Sequence, residues 1–129
     1  MHKTADNINL FVKQRFTSHS GITLPFKIEC DALNDADIDT LAFLIGGRYS
    51  FGSVYGVPTG GERLARALIP YITIGPRLVV DDVLTTGNSM EQAKTSETDI
   101  GVVIFSRGIC VPAWIKPIFR YDWDRILSE

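Results

Sequence analysis

Apolar positions along this 129-residue chain change their period several times, and each change marks an element. Ile8, Phe11, Val12 and Phe16 share one helical face behind Asp6 as a cap, so residues 6–16 predict an amphipathic first helix. Ser18-His19-Ser20-Gly21 ends that pattern, and residues 24–30 alternate as a strand exposed on one face does. Helical spacing returns over residues 35–45 through Ile38, Leu41, Ala42, Leu44 and Ile45, with Gly46-Gly47 as a stop. Residues 51–57 read as a short buried strand ending in Pro58-Thr59-Gly60-Gly61, and 62–68 as a third helix. Tyr71 to Ile74 is β-prone but bounded by Pro70 and Gly75-Pro76, which leaves it an edge strand or a connection. Residues 77–83 form an apolar strand, 89–95 a helix and 100–106 the strongest remaining buried strand. Strands alternating with helices argue for an α/β fold on a mostly parallel sheet. The tail from Val111 to Glu129 carries Trp114, Phe119, Tyr121 and Trp123, which suits packing or the roof of a base pocket.

Composition adds mainly exclusions. The length fits one domain spanning residues 1–129. With 45% hydrophobic residues, 22% charged and a net charge of -2, bulk charge does not favour nucleic acid. No apolar run is long enough to span a bilayer and no signal-like segment occupies residues 1–10, so no membrane association and a cytoplasmic location are expected. Cys30 and Cys110 lie far apart without CxxC spacing, which argues against structural zinc and a disulfide framework.

Candidate chemistry concentrates in residues 79–90, VVDDVLTTGNSM. A buried strand runs into Asp81 and Asp82, and a loop of Thr85, Thr86, Gly87, Asn88 and Ser89 follows, opening a helix near Ser89. Backbone N–H groups and small hydroxyls there suit a phosphate. The two carboxylates only accept hydrogen bonds when ionised, which suits a pair of ribose hydroxyls at the carboxyl edge of the sheet. Helix capping alone would also explain Asp, Thr and Gly in such a turn. A second turn, Tyr55-Gly56-Val57-Pro58-Thr59-Gly60-Gly61, again joins strand to helix with residues that permit close backbone approach. Two anion-ready turns in one small domain fit a substrate bearing phosphate at both ends.

The stretch VVDDVLTTGNSM resembles the phosphoribosyl pyrophosphate (PRPP) motif of type I phosphoribosyltransferases, with Asn88 standing where Gly or Ala is usual. Gly56 to Gly61 followed by Leu64-Ala65 resembles the pyrophosphate loop of the orotate phosphoribosyltransferases. Residues 16–26, FTSHSGITLPF, are similar to their N-terminal FxLxSGxxSPxY segment, and residues 103–107, VIFSR, to the strand whose terminal Arg binds the orotate carboxylate. The resemblance implies a type I phosphoribosyltransferase-like sheet flanked by helices, with a small N-terminal and C-terminal hood. It implies Asp81 and Asp82 as the catalytic and ribose-binding pair and Thr85 to Ser89 on the 5-phosphate. Pyrophosphate would lie on Val57, Pro58, Thr59, Gly60 and Gly61 with Arg63 adding a cation, and the base on His19, Phe26, Lys27 and Arg107. A planar guanidinium at Arg107 matches a carboxylate by two parallel hydrogen bonds, which selects an acidic pyrimidine. Mg²⁺ would be held through PRPP and water rather than by protein ligands, and a homodimer is the family habit.

Three departures bear on these expectations. His19 stands where Lys is usual, and Lys27 and Ile28 where aromatic residues are usual. Only about sixteen residues separate Ala65 from Asp81, a span in which the orotate enzymes insert a strand and a mobile loop bearing Lys, Arg and His. Arg63, Arg66 or His19 would have to neutralise the leaving pyrophosphate instead. The expected activity is transfer of phosphoribose from Mg-PRPP to a nitrogenous base, orotate first, with release of pyrophosphate. Its rivals are a non-catalytic PRPP or nucleotide sensor, and a transferase for another base such as uracil or a purine.

Overall fold

A computed structural model describes residues 9–12, 16–17, 23–24, 27–84, 86–107 and 111–120, with backbone only at 16–17, 23–24 and 27. A four-stranded parallel sheet in the order β5 (Ser53–Gly56), β6 (Arg77–Leu84), β7 (Ile100–Ser106), β8 (Ile115–Arg120) forms its centre. Helices α1 (Asp35–Arg48) and α2 (Glu62–Leu68) pack on one face, and α3 (Asn88–Ala93) on the other. Strands covered on both faces must be apolar throughout, and Leu78, Val79, Val80, Val102, Val103 and Ile104 are all buried. Two small antiparallel ribbons, β1 (Phe11–Val12) with β4 (Lys27–Ile28) and β2 (Phe16–Thr17) with β3 (Thr23–Leu24), precede the sheet.

Local chemistry explains the longest helix. The Asn34 side chain accepts the Asp37 N–H at 2.8 Å and the Asp37 carboxylate accepts the Asn34 N–H at 3.0 Å, closing a capping box. Such a cap contributes about 1 kcal/mol, whereas each of Ile38, Leu41 and Ile45 contributes about 1.5–3 kcal/mol by burial, so packing decides the helix.

Several elements differ from the sequence expectation. Residues 11–12 and 16–17 are strands where a helix was expected over 6–16, because pairing of Phe11 with Ile28 and Phe16 with Leu24 outweighs the local periodicity. The strand expected over 24–30 is divided between β3 and β4, and Cys30 opens a 3-10 turn, Cys30–Ala32. Gly46-Gly47 does not stop α1, which continues to Arg48. Gly46 instead makes room for a neighbour: a Cβ there would sit 2.6 Å from the Tyr71 ring. Residues 71–74 are not a strand. A 3-10 turn, Ile69–Tyr71, leads into a short link beside β5, where the Thr73 N–H donates to Phe51 O at 2.9 Å and the Gly52 N–H to Pro76 O at 3.0 Å. The aromatic tail supplies a fourth strand, β8, that its sequence did not suggest. Among the described residues no helix is long and apolar enough to cross a membrane.

Candidate functional site

Successive residues of a strand point to opposite faces, so Asp81 and Asp82 at the carboxyl end of β6 serve different sides of the sheet. Asp81 faces the α3 side. It lines a nook of about 40 Å³ with Thr86, Gly87, Asn88 and Ser89. Gly87 takes the left-handed backbone at φ +88° and α3 begins at Asn88, whose own φ is not positive. The Asn in place of the usual Gly or Ala is therefore accommodated as the first helical residue. Its N–H donates to the Thr86 hydroxyl at 3.4 Å. Thr85 lies outside the described residues.

Asp82 faces the α1 and α2 side and meets the second turn. The Val57 N–H donates to Val80 O at 2.9 Å and the Gly61 N–H to Val57 O at 2.8 Å, which fastens residues 57–61 against the end of β6. The Pro58-Thr59 peptide is cis. A Cβ on Gly60 would collide with the Asp82 carboxylate, so glycine is what lets the turn and the acid touch. Beyond this contact opens a cavity of about 490 Å³, walled by Thr59, Gly60, Asp82, Asp31, Glu62, Arg63 and Arg66, with Ile38, Leu64 and Ile104 at its apolar side. A volume of this size admits a small-molecule ligand.

Burial dominates the electrostatics of Asp81. Burial pushes the Asp81 carboxyl up to about 7; the Asp82 N–H that it accepts at 2.8 Å acts in the opposite direction, and the Asp82 charge adds to the rise. Asp82 receives the Val83 N–H at 2.7 Å. Burial, then the Asp82 charge, pushes the Cys30 thiol beside the cavity up to about 12, so it stays protonated and unreactive at neutral pH.

The other expected residues are placed as follows. Arg63 borders the cavity, but its guanidinium is engaged: Nη1 donates to Leu33 O at 2.7 Å and Nη2 to Cys30 O at 3.1 Å, with Asp35 4.0 Å away. It braces the segment after β4 against α2. Arg107 follows β7, half-buried, with its N–H donating to Leu84 O at 3.0 Å, and it is not part of the larger cavity's described wall. Lys27 lies in β4 and only its backbone is described. His19 and Phe26 lie outside the described residues. The sequence reading did not place Asp31 or Glu62 at the site. Glu62 and Arg66 are one helical turn apart, a spacing that could have put both on the turn's side of α2. Among the described residues no group of three or more His, Cys, Asp or Glu converges to hold a metal ion.

No family model matches the chain, and no curated protein matches it. Solved structures do. An orotate phosphoribosyltransferase from Aeropyrum pernix is similar at 21% identity and a TM-score of 0.69, over 92% of each chain. UMP synthase from Leishmania donovani reaches a TM-score of 0.72 at 16% identity, over 92% of this chain and 36% of that one. An orotate phosphoribosyltransferase from Mycobacterium tuberculosis in complex with Fe(III) dicitrate gives 0.63 at 16%, over 90% and 93%. Likeness at such identities is one of architecture, and it agrees with two strand-to-helix turns placed at the carboxyl edge of the sheet: the chain is built on the type I phosphoribosyltransferase fold.

Proposed function

We propose that this chain is a phosphoribosyltransferase that binds Mg-PRPP and passes its phosphoribosyl group to a nitrogenous base, orotate, releasing pyrophosphate. The observation that carries the reading is the contact of Gly60 with Asp82, which brings the turn at 57–61 against the acid at the end of β6. The 5-phosphate lies in the nook of Thr86 to Ser89, the ribose hydroxyls donate to Asp81 and Asp82, and pyrophosphate rests on Val57 to Gly61. Arg107, at the end of β7, meets the carboxylate of the base.

The lone pair of a base nitrogen forms a bond to C1 of the ribose as the bond from C1 to the pyrophosphate oxygen breaks, the electron pair leaving with that oxygen. Positive charge grows on the ribose ring during this exchange. Asp81 and Asp82, held beside the ring, favour that charge and fix the sugar, so the chain contributes positioning and electrostatics without a protein nucleophile. The charge also favours the ionised form of Asp81 against the burial that raises it. Asp82, Asp31 and Glu62 offer the hard oxygens that a hydrated Mg²⁺ takes through its water shell, which fits an ion carried in by PRPP. When bound, Mg²⁺ would offset the charge on the pyrophosphate.

One observation favours a second reading. The link from Tyr71 to Arg77 runs directly beside β5, leaving a short connection where a covering loop would rise, and this suits a PRPP-binding sensor. Mixing the protein with Mg²⁺, PRPP and orotate and following orotate absorbance tests the proposal. Loss of orotate is expected. Calorimetric PRPP binding without turnover of orotate, uracil or a purine would establish the sensor, and turnover of another base would reassign the acceptor.

A further inference from the structure

Pyrophosphate seated on Thr59 and Gly60 would face a wall that carries three acids, Asp31, Glu62 and Asp82, and one Mg²⁺ shared with those acids would leave part of its charge unmatched, so the cavity suits a further cation directed at the ligand. Two arginines border it. Arg63 spends its Nη1 and Nη2 on the carbonyls of Leu33 and Cys30 and lies 4.0 Å from Asp35, so it is anchored to the chain. Arg66, one turn further along α2, is exposed and lines the same cavity, and no hydrogen bond or ion pair to the described residues holds it. A guanidinium on a long stem can reach along the wall, and its planar fork matches two phosphate oxygens at once. Glu62, at the preceding turn of α2, lines the same wall.

We infer that Arg66, rather than its fellow candidate Arg63, is the residue that binds the pyrophosphate of PRPP and offsets its charge as it leaves. This assignment rests on the proposed PRPP site and adds to it a residue of the chain's own α2. It also accounts for how a site whose link over residues 72–76 is short holds a polyanion: the cation is built into the helix that follows the turn.

Calorimetry on the whole chain with Mg²⁺ and either PRPP or ribose 5-phosphate tests it, because only the first ligand carries the pyrophosphate. Arg66→Ala is expected to weaken PRPP about ten- to a hundredfold while leaving ribose 5-phosphate within about twofold, and Arg66→Lys to recover part of the loss. An unchanged melting temperature shows that the exposed substitution leaves the fold intact. Wild-type protein that binds both ligands, with Arg66→Ala affecting neither or both alike, overturns the assignment and leaves the PRPP site standing. Wild-type protein that binds neither overturns the site and the assignment together.

Discussion

Asp82 occupies the space that a side chain on residue 60 would need, and this makes Gly60 a sensitive small residue of the candidate site. Gly60→Ala forces either the turn or the acid to move, at no cost to the core, since Gly60 is exposed. PRPP affinity should fall about tenfold or more with little change in melting temperature, and calorimetry beside a thermal melt checks both halves. A variant with wild-type affinity would separate the turn from the carboxylates. Asp81 supports a different measurement. Its folded carboxyl titrates near 7 against 3.8 for the ordinary group, so between those values the folded chain holds a proton that the unfolded chain has lost. Stability of the ligand-free protein therefore falls as pH rises through that window. Asp81→Asn should remove this slope and stabilise the ligand-free chain at pH 8 by about 1–3 kcal/mol while abolishing PRPP binding. Urea melts at pH 5 and pH 8 are the check, and an unaltered slope in the variant would place the titrating group elsewhere. The paired acids and their two turns were legible in the sequence because each is a contiguous motif. The engagement of Arg63 was not, since its partners Cys30 and Leu33 lie about thirty residues away and are backbone carbonyls, which any residue type supplies.

Elements that the sequence made plain are those whose pattern and packing agree. Strand β7 and helix α2 occupy their expected spans, and β6 runs one residue further, because uninterrupted apolar runs and a helical stripe face a core that covers them. Strand β8 escaped notice because Lys116, Pro117 and Arg120 interrupt its apolar residues, and only pairing with β7 makes it a strand. At the opposite end of the sheet from the site, Arg77 at the start of β6 ties several elements together. It donates to Ala93 O at the end of α3, lies 3.5 Å from the buried Asp99 carboxylate, and stacks over Tyr55 of β5 at 5.0 Å. Burial alone would raise Asp99, but the N–H groups of Thr95 and Ser96 and the Arg77 guanidinium outweigh it and hold the carboxyl below its ordinary value. This contribution is present above the unfolded value of 3.8 and is lost as pH falls through the lower folded value. Asp99→Ala leaves Arg77 uncompensated and should cost about 3 kcal/mol in urea melts at pH 7, a loss that narrows in strong acid. A cost that stays constant down to low pH would exclude the ion pair as its source.

At the scale of the molecule, the proposed site draws on three independently built pieces at one edge of the sheet: the end of β6, the turn before α2 and the loop before α3. A ligand bridging all three would bind the folded chain and have nothing to bind in the unfolded one. PRPP at about a hundred times its dissociation constant should therefore stabilise the fold by about 2.7 kcal/mol, a rise of about 8–12 °C in melting temperature for a chain of this size. Ribose 5-phosphate at an equal multiple of its own dissociation constant should give the same rise, since the linkage depends on saturation alone. At equal concentrations PRPP should give the larger one, because it alone reaches the turn at 57–61. Helix-capping turns with no ligand role predict no shift from either compound. Thermal melts with both, and with inorganic pyrophosphate to expose nonspecific anion binding, decide between a site and a pair of caps, and a null result with PRPP would withdraw the phosphoribosyl reading while leaving the fold as it is.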